Sequence, residues 1–226
     1  MTPLVSIVTG TFNRASLLRR AIKSVLGQTY SNLEYWVSSD GSTDETPDVI
    51  REFNDPRLHF IDEGKSSYYT VNRNRGVKRS TGETICFLDD DNWWEPNFIE
   101  EHMKVHKSPD VAITYSGRVI HEGDDIMLTQ FIKYNGQTEY LNGLVDVGDL
   151  MFKRELFKGF SEEKDRIGYC SDLQAIDQVM EGNPQMKMVL IPKYLHHYLS
   201  TENNMTHRKL ADRAKGEYNE EEQWKM

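Results

Sequence analysis

The sequence predicts an α/β fold with a doubly wound, mostly parallel central sheet. Short apolar runs rich in β-branched residues alternate with segments of helical periodicity through the first half of the 226 residues. The connections between successive strands are roughly 10–20 residues long, which suits crossover helices on both faces of a sheet. Ligands of such sheets bind outside the carboxyl ends of the strands, so the segments that follow each strand are the candidate site.

Six strands are predicted from short, mainly apolar runs. The run at 84–88 is almost entirely apolar, which predicts a strand buried on both faces. The predicted strands are residues 4–9, 33–38, 58–61, 84–88, 111–115 and 187–191.

Helices are predicted between the strands, in part from apolar residues that recur every three or four positions, whereas residues 70–79 have polar and basic faces. The clearest case ends at Leu26, and Gly27 follows as a stop. The next helix begins at Asp44 and has Pro47 in its first turn. The predicted helices are residues 17–26, 44–53, 70–79, 96–107, 150–157 and 172–180.

The chain is less regular beyond residue 115. Scattered Gly, Asp and Asn between short apolar pieces predict hairpins over residues 117–148, and the charged end of the chain from Arg208 predicts a solvated helix. Because no internal repeat or low-complexity linker interrupts the sequence, we expect a single domain over residues 1–226.

Composition excludes several classes of protein. The chain has 27 Lys and Arg against 36 Asp and Glu, a net charge of −9, which argues against a nucleic-acid partner. No apolar run approaches the roughly 18 residues of a membrane span, and the first residues lack the features of a signal peptide. Two cysteines, Cys86 and Cys170, do not make a disulfide framework. We therefore expect a cytoplasmic protein with no transmembrane segment.

Three consecutive carboxylates, Asp89, Asp90 and Asp91, follow the fourth predicted strand. Two unit charges about 4 Å apart repel by roughly 4 kcal/mol at an effective dielectric constant of 20. A divalent cation such as Mg²⁺ or Mn²⁺ would reverse this repulsion and could take further ligands from substrate phosphates. On an extended backbone Asp90 points away from the other two, so all three cannot bind one ion. A polar turn that caps the next helix is the alternative.

The loops after the first two strands carry weaker patterns. Asp40 could accept a hydrogen bond from a base or a ribose, although an Asx turn with Ser42 and Asp44 capping the next helix is equally compatible. The segment Thr9–Arg14 lacks both the dinucleotide-binding glycine pattern and the P-loop pattern. In that segment, Phe12 could flank a base and Arg14 could reach a phosphate.

Five segments occur in a fixed order, and together they resemble family 2 glycosyltransferases with the GT-A fold. The resemblance is clear over about residues 4–115 and thinner to about residue 206. The segments are Val5–Arg14 (VSIVTGTFNR), Ser24–Tyr30 (SVLGQTY), Ser39–Thr46 (SDGSTDET), Asn72–Gly76 (NRNRG) and Thr81–Asp91 (TGETICFLDDD).

The resemblance implies transfer of a sugar from a nucleotide-sugar donor, with UDP favoured, to the hydroxyl of a carbohydrate or other acceptor. It implies inversion of configuration and a divalent metal, Mn²⁺ or Mg²⁺. It divides the domain into a nucleotide-sugar-binding half at residues 1–115, an irregular acceptor-binding half at 116–206, and a charged C-terminal helix at 207–226.

The same resemblance implies roles for individual residues. Asp91 would bind the metal directly, Asp89 or Asp90 would contact ribose or the donor sugar, and Asp40 would hold uracil. In the family, a second acid often stands directly before the position of Asp40, and here that residue is Ser39. The residues expected to bind the donor are Thr9, Gly10, Thr11, Phe12, Arg14, Asp40, Arg73, Asp89 and Asp90.

The general base implied by the resemblance is Asp172, which would take the proton of the acceptor hydroxyl as that oxygen attacks the anomeric carbon. The alternative is an acid that only favours a helix N-terminus. A late histidine often completes the metal shell in the family, but Thr201 stands at that position. The nearby histidines that could replace it, or be purely structural, are His196, His197 and His207.

Three further alternatives remain open from the sequence. The chain could be a catalytically degenerate protein that only binds a nucleotide-sugar, or a nucleotidyltransferase, although it lacks a glycine-rich basic first loop. Trp93, directly after the acidic segment, could stack on a sugar ring or belong to the core.

Overall fold

In the part of the chain that the structure describes, a mixed sheet of nine strands organises the fold. The computed structural model describes residues 2–66, 68–131, 133–137, 145–162 and 171–201. The strands are β1 (Val5–Thr11), β2 (Leu33–Ser39), β3 (Leu58–Asp62), β4 (Thr84–Phe87), β5 (Trp93–Trp94), β6 (Val111–Glu122), β7 (Asp125–Leu128), β8 (Leu150–Lys153) and β9 (Lys187–Ser200). Their order is β3-β2-β1-β4-β8-β6-β9-β5, and β7 pairs with β6.

Helices cover the sheet, and a short 3₁₀ turn at Val147–Asp149 leads into β8. No helix in the described ranges is both long enough and apolar enough to span a bilayer. The helices are α1 (Ala15–Leu26), α2 (Thr46–Glu52), α3 (Tyr69–Arg79), α4 (Phe98–His106) and α5 (Ser171–Glu181).

The first four strands are parallel, as predicted, and their side chains alternate between two cores. Ile7 of β1 packs with Leu18 of α1 in one core, whereas its neighbour Val8 packs with Val77 of α3 in the other. This alternation is the reason that helices lie on both faces. Because Thr11 is in register with the last residue of β2, the loops after β1 and β2 begin side by side.

The predicted helix at residues 150–157 is wrong, because β8 occupies its first half and a turn follows. Leu150, Met151 and Phe152 are all fully buried between β4 and β6. A strand covered on both faces has a continuous apolar run, and periodicity alone does not distinguish such a run from a buried helix.

The strands predicted at residues 111–115 and 187–191 are each much longer than expected. They continue as β6 and β9, which run in parallel with register shifts beside Gly117. The predicted hairpin region begins correctly with β6 and β7, which are joined at Gly123, where φ is +60°. Residues 138–144 of that region and the predicted helix at 207–226 lie outside the described residues.

The buried position of β8 gives a test of the fold. We expect Phe152→Ala to lower the free energy of unfolding by about 3–5 kcal/mol, because it removes a fully buried ring. Urea denaturation measures the change. The control is Ile126→Ala on β7, where the side chain is 66% exposed and the expected change is within about 0.5 kcal/mol. Equal effects of the two substitutions would contradict the placement of β8.

Candidate active site

The acidic segment lies at the carboxyl end of β4, beside the end of β1. The hydroxyl of Thr11 donates to Asp90 Oδ2 at 2.7 Å. Arg14 Nη1 donates to Asp90 Oδ1 at 3.1 Å and to Asp91 Oδ2 at 2.8 Å. Two nearly buried carboxylates therefore share one guanidinium, and the structure brings together four residues predicted for the site.

The carboxylates of this segment carry more negative charge than Arg14 offsets. Burial and the charges of Asp89, Asp90 and Asp146 together raise the pKa of Asp91 to about 7, against the opposing effect of Arg14. Burial likewise raises the pKa of Asp90, against the opposing effect of Arg14. A bound cation would relieve this repulsion.

The donor atoms of this segment fit a hard divalent cation in their chemistry. They are carboxylate oxygens, which Mg²⁺ and Mn²⁺ prefer, and they carry unbalanced negative charge. Within the described ranges, no group of three or more His, Cys, Asp or Glu residues is arranged to hold a metal ion. An ion on Asp91 would therefore depend on donor phosphate oxygens for further ligands.

Arg73 of α3 connects this segment to Asp172. Its Nη2 donates to Asp89 Oδ1, and its Nη1 lies 3.9 Å from Asp172 Oδ1. Asp172 is in the first turn of α5 and accepts a hydrogen bond from the hydroxyl of Ser171 at 3.1 Å. The predicted base and the predicted donor-side acid, 83 positions apart in the sequence numbering, thus contact the same guanidinium.

Asp172 has the electrostatic surroundings of a proton acceptor. Burial and the charges of Asp146 and Asp89 raise its pKa to about 6, against the opposing effects of Arg73 and the Ser171 hydroxyl. A carboxylate with a pKa close to neutrality can take a proton more readily than an exposed aspartate, and it remains ionised above pH 6.

Two predicted donor residues have structural partners. The hydroxyl of Thr9 is fully buried and donates to the carbonyl of Leu88 at 2.6 Å. Gly10 lies close against α3: a Cβ at this position would be only 3.2 Å from Asn72 Nδ2. Any contact of Thr9 or Gly10 with a nucleotide would therefore be made mainly by their backbone atoms. Such contacts stay a prediction.

Phe12 and Asp40 lie at the outer side of the same strand ends. The ring of Phe12 is 43% exposed, with Lys65 Nζ 5.7 Å from its centre. Asp40 Oδ1 accepts a hydrogen bond from the backbone N–H of Ser66 and lies 4.0 Å from Arg75 Nη1. The proposed roles of both residues toward a base remain predictions.

Asp44 joins the loops after β1 and β2. Its Oδ2 accepts the backbone N–H of Ala15 at the start of α1 at 3.0 Å. Its Oδ1 accepts the N–H and the hydroxyl of Thr46 at the start of α2, at 3.1 and 2.6 Å. Asp44 is thus not the N-cap residue of α2, which is Glu45, but its carboxylate accepts the first backbone N–H of both helices. Ser42, the other predicted cap, instead accepts the N–H of Asn13.

Sequence reasoning missed Asp146 and Arg118. Asp146 caps the 3₁₀ turn by accepting the N–H of Gly148 at 2.9 Å, and its charge raises the pKa of both Asp91 and Asp172. Arg118 Nη1 lies 3.6 Å from an oxygen of Asp146. The acidic residues on both sides of Gly148 were a possible signal, but no pattern in β6 identifies Arg118 as their partner.

The two described candidate histidines have other partners. His196 is fully buried, with Nδ1 2.8 Å from Asp149 Oδ1. His197 lies 2.7 Å from Glu95 and 3.0 Å from His121. These contacts favour the structural alternative for both, and His207 lies outside the described residues.

Trp93 also has protein partners rather than an open face for a sugar ring. The guanidinium of Arg20 lies 3.7 Å from the centre of its ring. The ring of His197 stacks on it at 4.9 Å, with an angle of 4° between the planes. Of the two open alternatives for Trp93, packing within the protein is the one that these contacts favour.

A model of the family described as glycosyl transferase family 2 matches residues 6–171 of this chain. The chain belongs to this family. Among its curated relatives is the E. coli protein WfaP, named UDP-Glc:alpha-D-GlcNAc-diphosphoundecaprenol beta-1,3-glucosyltransferase. The two are 31% identical over 144 residues, which cover 62% of this chain and 57% of WfaP. The chain thus spans about half the length of the curated relatives it matches.

Solved structures share the fold at low sequence identity. The 1–349 fragment of S. aureus TarS in complex with UDP-GlcNAc has a TM-score of 0.73 and 16% identity, covering 88% of this chain and 59% of that one. The mannosyltransferase PcManGT from Pyrobaculum calidifontis, in complex with GDP-Man and Mn²⁺, has a TM-score of 0.69 and 18% identity, covering 95% and 61%. These neighbours confirm the predicted GT-A class of fold.

The crowding of carboxylates predicts an unusual stability effect. The pKa of Asp91 rises from an ordinary value of 3.8 to about 7 on folding, so the stability gained from its protonation is present below pH 3.8 and lost as the pH rises through 7. At pH 8 with EDTA, we therefore expect Asp91→Asn to raise Tm by roughly a few °C. Differential scanning calorimetry measures the change.

The control for this measurement is Asp110→Asn. The carboxylate of Asp110 is exposed and pairs with Lys187, which lowers its pKa to about 2. Its removal should leave Tm unchanged or slightly lower at pH 8. A lower Tm for Asp91→Asn than for this control would show that Asp91 is not under the electrostatic stress described.

Proposed function

We propose that this chain is a metal-dependent, inverting glycosyltransferase that moves a sugar from a UDP-linked donor to the hydroxyl of a carbohydrate acceptor. The observation that carries the proposal is the contact of Arg73 with both Asp89 and Asp172. It supports a single site in which donor-side acids from the end of β4 lie close to a candidate base on α5. Membership in glycosyl transferase family 2 supports the reaction class.

The donor side of the site is formed by the ends of β1, β2 and β4. The WfaP name and the TarS complex support a UDP-linked sugar as the donor. In the proposal, Phe12 and Asp40 line the base, Asp89 or Asp90 contacts the ribose or the sugar, and Arg14 lies beside the acids. A divalent ion held by Asp91 would supply Lewis-acid stabilisation of the diphosphate, and the Mn²⁺ complex of PcManGT supports this assignment.

The acceptor side is formed by the start of α5. Asp172 accepts the proton of the attacking hydroxyl, and the new bond to the anomeric carbon forms as the bond to the nucleotide diphosphate breaks. One displacement from the opposite face inverts the anomeric configuration. A pKa of about 6 keeps Asp172 ionised at neutral pH, so it is ready to accept the proton.

Substitution of the base separates binding from chemistry. We expect Asp172→Asn to lower the turnover of UDP-GlcNAc by about 10²–10⁴-fold, because an amide cannot accept the proton. Isothermal titration calorimetry should give a near-normal affinity for UDP with Mn²⁺. The control is Glu181→Gln at the exposed end of the same helix, which should leave both values unchanged. Wild-type turnover in Asp172→Asn would refute the assignment.

The pH profile gives a second test of the base. Because protonation of Asp172 removes its ability to accept a proton, kcat/KM of the wild type should fall by about tenfold per unit below pH 6. UDP release measured between pH 4.5 and 8 would show this limb. A rate that stays flat to pH 5 would contradict Asp172 as the base.

The reaction products distinguish the proposal from its two alternatives. UDP release that requires Mn²⁺ or Mg²⁺, and that is lost in Asp91→Asn, supports glycosyl transfer with Asp91 as a metal ligand. Pyrophosphate release from UTP in the presence of a sugar 1-phosphate would instead indicate a nucleotidyltransferase, because the new bond to the nucleotide forms as the bond to pyrophosphate breaks. Donor binding without any turnover, across a panel of UDP-sugars and sugar acceptors, would indicate a binding protein. Liquid chromatography measures UDP, a coupled enzymatic assay measures pyrophosphate, and isothermal titration calorimetry measures donor binding without turnover.

A further inference from the structure

We infer that Arg73 is a positioning residue for Asp172: its guanidinium holds a positive charge between that carboxylate and the donor-side acid Asp89, and this charge favours the ionised base. The inference rests on the proposed function, in which Asp172 accepts the proton of the acceptor. It gives Arg73 a role toward the base in addition to the nucleotide contact expected from sequence.

Arg73 is held rigidly, which a positioning residue requires. Its side chain is only 10% exposed, although it carries a full charge. The guanidinium lies 5.3 Å from the ring centre of Tyr69 and 5.5 Å from that of Phe160. One of its nitrogens donates to Asp89, and this charged pair fixes the orientation of the planar group. The other terminal nitrogen, Nη1, lies toward Asp172.

The distance to Asp172 indicates how Arg73 acts. At 3.9 Å, Nη1 is too far from Asp172 Oδ1 for a direct hydrogen bond, so the effect is mainly that of a nearby positive charge. The hydroxyl of Ser171 supplies a direct hydrogen bond to the same oxygen. The two groups together favour the ionised carboxylate in a buried place.

The other charges around Asp172 make this contribution necessary. Asp146 from the 3₁₀ turn and Asp89 from the end of β4 both raise the pKa of Asp172, as does burial. Arg118 from β6 also interacts with Asp172 electrostatically, but its closer partners are Asp146 and Asp149. Without the charge of Arg73, the carboxylate would face two like charges in a buried site, and protonation would be favoured at neutral pH.

The test is a titration of Asp172 by ¹³C NMR in the full chain, labelled at the aspartate carboxyl carbons. The resonance is assigned by its loss in Asp172→Asn. We expect a midpoint near pH 6 in the wild type. In Arg73→Met the midpoint should rise by about one unit or more, since an opposite charge within about 4–6 Å is removed. Arg73→Lys, which keeps the charge, should give a smaller rise.

The matched control is Arg79→Met, on the last turn of the same helix. Arg79 pairs with Glu63 and is 39% exposed, so its removal should leave the midpoint of Asp172 unchanged. Should Arg73→Met fail to fold, Arg73→Gln measures the same loss of charge with a side chain that can still hydrogen-bond Asp89. A midpoint for the neutral variant equal to that of the wild type overturns the inference.

Turnover distinguishes this inference from the proposed function. With UDP-GlcNAc and Mn²⁺, the acid limb of kcat/KM in Arg73→Met should move to higher pH by the same amount as the NMR midpoint. If the wild type releases no UDP from any UDP-sugar, the proposed function fails, whereas the NMR midpoints still decide whether Arg73 keeps Asp172 ionised. An NMR shift with an unmoved acid limb would overturn the positioning role.

Discussion

Buried carboxylates require nearby positive charge, and Arg14, Arg73 and Arg118 supply part of it at the carboxyl edge of the sheet. Arg14, from the end of β1, pairs with Asp90 and Asp91. Arg73 joins α3 to the acidic segment and to α5, and Arg118 joins β6 to the 3₁₀ turn. Each arginine therefore connects segments that are distant in sequence, so the electrostatic balance of the site also fixes the relative positions of its elements.

The parallel half of the fold was predictable from sequence because it obeys simple local rules. Each strand there is a short, mainly apolar run, and α1 has a clear apolar stripe that includes Leu18 and Ile22. The helix α3 instead buries mainly polar residues, and it was predicted from its place between two strands. The polar segments that follow these strands contain the candidate site, as the general geometry of parallel sheets favours. For the same reason, the amino-acid sequence alone predicts that Asp89, Asp90 and Asp91 lie at this candidate site.

The second half was predicted poorly for physical reasons. In sequence, the continuous apolar run of β8 cannot be distinguished from that of a buried helix. The strands β6 and β9 continue beyond their apolar runs through polar residues, which strand patterns do not favour. Charge pairing between distant segments has no local pattern at all. The role of Asp146 and the double contact of Arg73 therefore depend on tertiary structure, and only Asp172 in this half was identified, through the family resemblance.

The two links made by Asp44 have a mechanical consequence. Because one carboxylate accepts the first backbone N–H of both α1 and α2, it ties the loop after β1 to the loop after β2. If these loops line the base as proposed, that wall exists before the donor arrives, so we expect donor binding to order it little and to lose little entropy there.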